Sequence, residues 1–183
     1  MFYENTYKAM KLHRYDITRI VRIFRKKLNM ENNLKINVAD VLENKLPQII
    51  NGFNYEAVND TDLLTSEAEY DILNNKLYIR ESTYEYALDG CPHSRLTFGH
   101  EFCHIICHPI VRLCKIKQGI IIPKENNPEW QANVFGGEFL APSYLIGNRT
   151  VEEIESDFNV SHTCAKIQKR EHNRNMILLG WKA

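Results

Sequence analysis

The architecture of this chain is decided by the stretch Ser94 to Pro109, which reads S-R-L-T-F-G-H-E-F-C-H-I-I-C-H-P. It contains the pattern H-E-x-x-H at His100, Glu101 and His104. Residues four apart share one face of an α-helix, so the two histidines can bind one metal ion between their imidazoles. The glutamate lies about 100° around the helix, where a base for a metal-activated water is needed. The pattern predicts a metal-dependent hydrolase.

The remaining faces of this predicted helix indicate that it is buried centrally. Phe98, Phe102 and Ile105 lie opposite the histidines and form a wide apolar stripe for the core. Ser94 is expected to cap the N-terminus. Pro109 disfavours helical geometry at the residue before it, so the helix is expected to end there.

Three further residues of the stretch are open to two interpretations. His108 ends the histidine face roughly 12 Å along the axis from His100, so we expect it to support the site rather than bind the ion. Cys103 and Cys107 lie near the same face, and a four-ligand site of two histidines and two thiols is conceivable. One continuous helix cannot easily surround a tetrahedral ion, so we expect the thiols to pack against a neighbouring helix.

A catalytic site usually has three protein ligands, so a third must come from another segment. The candidates are Glu125, Glu129 and Glu138, the last two on a helix predicted between Pro128 and Pro142. Nine residues separate those two, so they point to opposite faces. The face of Glu129 carries Ala132, Asn133, Gly136 and Leu140. Small residues let two helices approach closely, so we choose Glu129 and expect Glu138 to be solvated or locally hydrogen-bonded.

Composition limits the possible partners. The chain has 183 residues, 23 Lys and Arg against 23 Asp and Glu, and 5 Cys. Balanced charge gives no global attraction to nucleic acid or membrane, and no apolar run approaches ~18 residues. Irregularly spaced cysteines without a signal-peptide core indicate reduced thiols. We expect a cytoplasmic protein that does not bind membranes, and for which nucleic acid is not the favoured partner.

We predict a single α+β domain that is mostly helical. It consists of an N-terminal helical extension (1–37), a catalytic core (38–148) and a C-terminal helix pair with a tail (149–183). Helical periodicity or capping signals predict helices at Tyr7–Leu28, Val41–Ile50, Ser82–Leu88 and Thr150–Phe158, with another beginning at Ser161. The last two resemble a helix-turn-helix pair with a basic second helix. The apolar tail from Met176 is expected to form a strand or to pack on the core.

The clearest β-structure surrounds Asn74-Asn75, a two-residue signal for a hairpin turn. Leu77 and Ile79 alternate with polar neighbours in the strand that follows, so one face of it is expected to pack on the core. The pattern predicts a small antiparallel sheet. This strand could also offer its edge to an extended peptide.

Two motifs together resemble one family. R-L-T-F-G-H-E-F-C-H-I-I-C-H followed by E-W-Q-A-N-V-F-G-G-E-F-L-A-P resembles the ImmA/IrrE family of metallopeptidases. That family carries R-F-T-x-A-H-E-x-G-H-x-x-x-H and then E-x-x-A-N-x-F-A-A-x-L-L-x-P. The resemblance covers roughly residues 38 to 172, and it implies a zincin-like fold. It also implies one zinc ion bound by His100, His104 and Glu129, with Glu101 as the catalytic base.

The resemblance implies a function, and the chain departs from the family pattern at two places. Known members cleave helix-turn-helix transcriptional repressors, so the implied protein is a regulatory metallopeptidase with such a substrate. The alternative is a weakly active or inactive member that acts as a protein-binding or DNA-binding module. Cys103 replaces the usual Gly, and Gly136-Gly137 replaces the usual Ala-Ala. Candidates to support a ligand or to stabilise the oxyanion are His108, Asn133 and Tyr78.

Overall fold

The computed structural model describes residues 7–109, 113–115 and 121–179, which form an α+β fold that is mostly helical. Its helices are α1 (Arg14–Lys27), α2 (Val38–Asp40), α3 (Leu46–Ile49), α4 (Glu81–Leu88), α5 (Pro92–Cys107), α6 (Pro128–Leu140), α7 (Val151–Phe158) and α8 (His162–Leu179). A π-helical turn (Val41–Lys45) joins α2 to α3, and 3₁₀ turns cover Lys124–Asn126 and Ser143–Leu145. The strands are β1 (Tyr7–Ala9), β2 (Asn54–Val58), β3 (Ala68–Asp71), β4 (Lys76–Arg80) and β5 (Leu113–Lys115). Among these helices, none combines the length and apolarity that crossing a membrane requires.

The N-terminal segment is not the single helix predicted for Tyr7–Leu28. Its first residues form β1, which pairs antiparallel with β5, and α1 begins only at Arg14. The backbone N–H of His13 donates to the carboxylate of Asp16, which closes the first turn. Helical periodicity could not reveal β1, because its partner strand lies far along the chain.

The larger sheet has the strand order β2-β4-β3. β3 and β4 are antiparallel, and Leu77 and Ile79 are fully buried, as predicted. The turn is longer than the predicted two residues, because Asp71 pairs with Lys76 and residues 72–75 form the loop. β2 is parallel to β4, so the sheet is mixed rather than antiparallel. β4 is therefore the central strand, and its edge is not open to a peptide.

Helix α5 contains the H-E-x-x-H pattern. It begins at Pro92, two residues before the predicted cap Ser94, which is 3% exposed inside the first turn. Proline is favoured at the first helical position, because its missing N–H has no partner there in any helix. The helix ends at Cys107, before Pro109, as predicted. Its Phe98 and Phe102 are completely buried in the core.

Helices α5 and α6 touch through their backbones. A Cβ atom placed on Gly99 would lie 2.9 Å from the Cα of Gly136. A Cβ placed on Gly136 would lie 3.1 Å from the backbone nitrogen of His100. The small-residue face of α6 therefore permits the close approach that the sequence predicted. This contact brings Glu129, two turns earlier on α6, beside the histidines of α5.

Helices α7 and α8 pack against each other across a turn at Asn159, which has a left-handed φ of 52°. The predicted capping box of Thr150 and Glu153 is present at the start of α7. Helix α8 continues to Leu179 and includes Met176, so the strand that we considered for this tail is not formed there. Residues 180–183 of that tail lie outside the described residues.

Candidate metal centre

Three side chains from two helices converge at one point. His100 and His104 lie one turn apart on α5, and Glu129 lies in the first turn of α6. The Nε2 atoms of the two histidines are 3.1 Å apart. The Glu129 carboxylate is 3.2 Å from Nε2 of His100 and 3.6 Å from Nε2 of His104. The structure therefore brings together the three residues predicted to bind a metal ion, in a group that could hold one.

The separations of these atoms fit a tetrahedral zinc ion. With zinc–ligand distances of ~2.0–2.1 Å, neighbouring ligand atoms of a tetrahedron lie about 3.3 Å apart. The three observed separations lie on either side of that value. In addition, Oε1 of Glu129 is buried and has no hydrogen-bond partner among the described residues. A buried carboxylate oxygen without a donor is costly, and a cation at this point would satisfy it.

His100 is oriented by a residue of α6. Its Nδ1 atom lies 3.3 Å from Oδ1 of Asn133, one turn after Glu129. An amide oxygen only accepts, so Nδ1 of His100 carries the proton and Nε2 presents its lone pair to the cluster. Burial is the largest single effect on the pKa of His100 and lowers it, but Glu129, Glu101 and Asn133 together outweigh burial, so the pKa is raised.

His104 is oriented by a buried chain of hydrogen bonds that ends in the backbone. The Gln131 side-chain NH₂ donates to the carbonyls of Met10 (2.8 Å) and Glu125 (2.7 Å). Both partners only accept, so the amide cannot be reversed and its oxygen faces His108. Nε2 of His108 lies 2.8 Å from that oxygen and must donate to it.

This chain of hydrogen bonds determines which nitrogen of His104 carries the proton. In the neutral His108 ring, a proton on Nε2 leaves a lone pair on Nδ1, which lies 3.0 Å from Nδ1 of His104. His104 therefore donates from Nδ1 and presents its Nε2 lone pair to the cluster. The pKa of His104 is well below its usual value, because the ring is buried and because His100 and His108 disfavour a second charge. Both histidines thus aim lone pairs at the same point, an arrangement that a shared cation would satisfy.

Glu101 follows His100 directly on α5 and is 8% exposed. Burial raises the pKa of Glu101 to about 7; His100 opposes this shift, whereas Glu129 and Glu69 add to it. A carboxyl group that titrates near neutral pH can both accept and return a proton there. The arrangement suits the role of general base that the motif predicts.

The two rejected glutamates lie elsewhere. Glu125 takes part through its backbone carbonyl, which accepts from Gln131. Glu138 is completely buried, so the solvated environment that we considered for it is wrong. The local hydrogen bond is present, because its carboxylate accepts from the backbone N–H of Ser143 at 3.0 Å and from Arg14 at 3.3 Å.

The thiols and the tyrosine are also outside the cluster. Within the described part of the chain, the ligand group contains two histidines and a carboxylate but neither Cys103 nor Cys107. Burial and the neighbouring thiol raise the pKa of Cys103 well above its usual value, so this buried side chain packs as a neutral group. Tyr78 lies on the face of β4 opposite Leu77, with the Lys76 ammonium 4.9 Å from its ring centre.

Sequence reasoning missed Gln131. It is completely buried and occupies a position on α6 that does not face the metal cluster directly. The only sign of its role in the sequence was a polar side chain between apolar neighbours on the predicted helix. Its role depends on three partners, at Met10, Glu125 and His108, that come together only in the folded chain.

Comparison with models of protein families, with curated proteins and with solved structures gave no match for this chain. The class that the fold and the site define is therefore an α+β protein with a candidate His-His-Glu metal centre between two packed helices.

Proposed function

We propose that the chain is a zinc-dependent metalloendopeptidase in which Glu101 is the general base. The observation that carries this proposal is the convergence of His100, His104 and Glu129 beside a buried glutamate with a pKa of about 7. Two histidines and one carboxylate form a ligand set of catalytic zinc sites, which keep a further position for water or substrate. Zinc in this site would supply a Lewis acid that polarises a peptide carbonyl and lowers the pKa of water towards ~7.

The protein's own groups hold and move the proton. Ionised Glu101 accepts a proton from the attacking water and passes it to the leaving amine as the peptide bond breaks. As ligands, His100 and His104 are neutral rings that keep the proton on Nδ1, and these Nδ1–H groups donate hydrogen bonds to Asn133 and His108. The α5–α6 backbone contact keeps Glu129 in register with both rings.

We further propose that the substrate is a regulatory protein, namely a helix-turn-helix transcriptional repressor. The support is the resemblance of both motifs to the ImmA/IrrE family, whose known members cleave such repressors. The competing function is a weakly active or inactive member that binds the repressor through the α7–α8 pair. Both functions require the repressor to bind this protein, so cleavage and binding must be measured separately.

The experiment compares wild-type protein with Glu101→Gln on two substrates. One is a helix-turn-helix repressor, chosen from the neighbouring genes where one of them encodes it, and the other is a peptide library prepared from a digested proteome. Cleavage products are identified by mass spectrometry, and zinc content is measured by elemental analysis. We expect wild type to cut and Glu101→Gln to be slower by ~10²–10⁴-fold, the usual contribution of general acid–base catalysis. Zinc content should be equal in the two proteins.

Three other outcomes would each contradict part of this proposal. Equal rates in the two proteins would show that Glu101 is not the base. Binding of the repressor without cleavage by either protein would favour the binding module. Purified protein that holds no zinc, even after incubation with the ion, would exclude the metallopeptidase.

A further inference from the structure

A cleft with a volume of about 580 Å³ lies where α1, α6 and α8 meet. Its lining includes Arg14, Lys124, Trp130, Arg170, Glu171 and Arg174, and it contains none of the three metal-ligating residues. Sites for small molecules typically have volumes of ~300–1,000 Å³. The size of this cleft is therefore that of a small-molecule site.

Positive charge exceeds negative charge in the cleft. The buried carboxylate of Glu171 is 3.5 Å from Arg14, 3.5 Å from Arg170 and 3.9 Å from Arg174. These separations are longer than hydrogen bonds, so Glu171 pairs only weakly with the three guanidinium groups. Glu125 is the other carboxylate in the lining, and together the two face four cationic side chains, namely Arg14, Lys124, Arg170 and Arg174. The side chains of Arg170 and Arg174 are 72% and 67% exposed, which leaves most of their donors free to meet a ligand.

Arg14 provides the fixed charge of the cleft. Its Nη2 donates to Gln168 at 2.6 Å and to Glu138 at 3.3 Å, so the guanidinium is held in place from behind. Its Nε is buried and makes no hydrogen bond among the described residues, and it faces Oε2 of Glu171 at 3.5 Å. Glu171 therefore gives this donor a long ion pair rather than a hydrogen bond, and an acceptor in the cleft would satisfy it better. Anionic oxygens are the acceptors that guanidinium groups bind most strongly.

The cleft also has an aromatic wall. Trp130 is half-buried, and the Lys124 ammonium lies 5.7 Å from its ring centre. Tyr15 lines the same cleft and is 53% exposed. We propose that this cleft binds a small molecule of the nucleotide class, with its phosphates on Arg170 and Arg174 and its base against Trp130. A cationic wall beside an aromatic wall matches the two chemically different halves of such a ligand.

The test is calorimetric titration of zinc-loaded protein with ADP at ~0.15 M ionic strength, with adenosine as the ligand that lacks phosphates. The variant is Arg170→Gln/Arg174→Gln, which removes two exposed charges from the cleft. The matched control is Lys27→Gln/Lys166→Gln, which removes two exposed charges outside the cleft lining, one from the end of α1 and one from α8. Circular dichroism and zinc content establish that both variants are folded and loaded after titration.

We expect ADP to bind wild type and the control with similar affinity, and the cleft variant to bind about tenfold or more weakly. Adenosine should bind wild type at least as weakly as ADP binds the cleft variant. No heat of binding from ADP, or an equal loss of affinity in the control, would overturn the proposal. Binding of a DNA duplex that depends on Arg170 and Arg174, without binding of ADP, would instead make the cleft part of a nucleic-acid surface. None of these results depends on peptidase activity.

Discussion

Replacing His108 should weaken zinc binding although His108 does not contact the proposed ion. His108→Leu removes the acceptor of the His104 Nδ1 proton and the donor to Gln131. His104 is then no longer held with its Nε2 lone pair towards the cluster. His108→Asn is the matched control, because its amide oxygen can take the place of the ring Nδ1 and accept from His104.

The size of the effect follows from the hydrogen bonds that the substitution removes. His104 is 3% exposed and Gln131 is fully buried, so water cannot replace the lost hydrogen bonds. Each buried polar group without a partner costs about 1–3 kcal/mol of folding free energy. Loss of a group that orients a ligand typically lowers metal affinity by ~10–100-fold. We therefore expect both lower stability and weaker zinc binding in His108→Leu, and smaller losses of both in His108→Asn.

The assay is competition for zinc against a chromophoric chelator, combined with two-dimensional ¹⁵N NMR of the imidazole rings. Wild type should show His104 protonated on Nδ1, whereas His108→Leu should show a mixture of tautomers in the zinc-free protein. A purely structural role for His108 would lower the melting temperature without changing that tautomer. Unchanged zinc affinity in folded His108→Leu would refute the role of the hydrogen-bond chain.

Three further predictions concern helix α6. Glu129→Ala should lower zinc content by elemental analysis, and full occupancy in this variant would show that another group is the third ligand. Gly136→Ala should lower the melting temperature and the zinc affinity, because its Cβ would lie 3.1 Å from α5 backbone, whereas Gly137→Ala should be neutral or stabilising because its Cβ meets ordinary contacts of 3.8 Å or more. Burial raises the pKa of Glu138 against the effect of Arg14, so the folded state holds this proton more tightly than the unfolded state and loses stability as pH rises above about 4.3. The melting temperature of Glu138→Gln should therefore rise relative to that of wild type as pH rises through that region. A difference in melting temperature that does not change with pH would contradict the raised pKa.

The metal-ligating face could be predicted because its information is local. Helical geometry alone relates His100, Glu101 and His104, and the small residues on α6 indicate which face approaches them. The choice of Glu129 over Glu138 needed only the same helical arithmetic. These inferences use spacing within one helix, where the geometry is known before the chain folds.

The hydrogen bonds that orient the metal ligands could not be predicted, because they depend on contacts between distant segments. Gln131 is held by the carbonyl of Met10, which is in place because β1 pairs with β5 and because the backbone N–H of Leu12 donates to Glu125. The sequence of that segment continues a helical pattern, so it was assigned to α1. The same kind of long-range pairing placed β2 parallel to β4.

Helix α6 contributes to the orientation of both histidines. Glu129 contributes the carboxylate, Asn133 accepts a hydrogen bond from Nδ1–H of His100, and Gln131 acts on His104 through His108. These three residues lie within five consecutive positions, yet they point to two sides of the helix. A shift of α6 along α5 would therefore disturb the third ligand and both tautomers together. The close contact of Gly99 and Gly136 opposes such a shift, so geometry at the metal centre depends on two glycines that have no side chain to contribute.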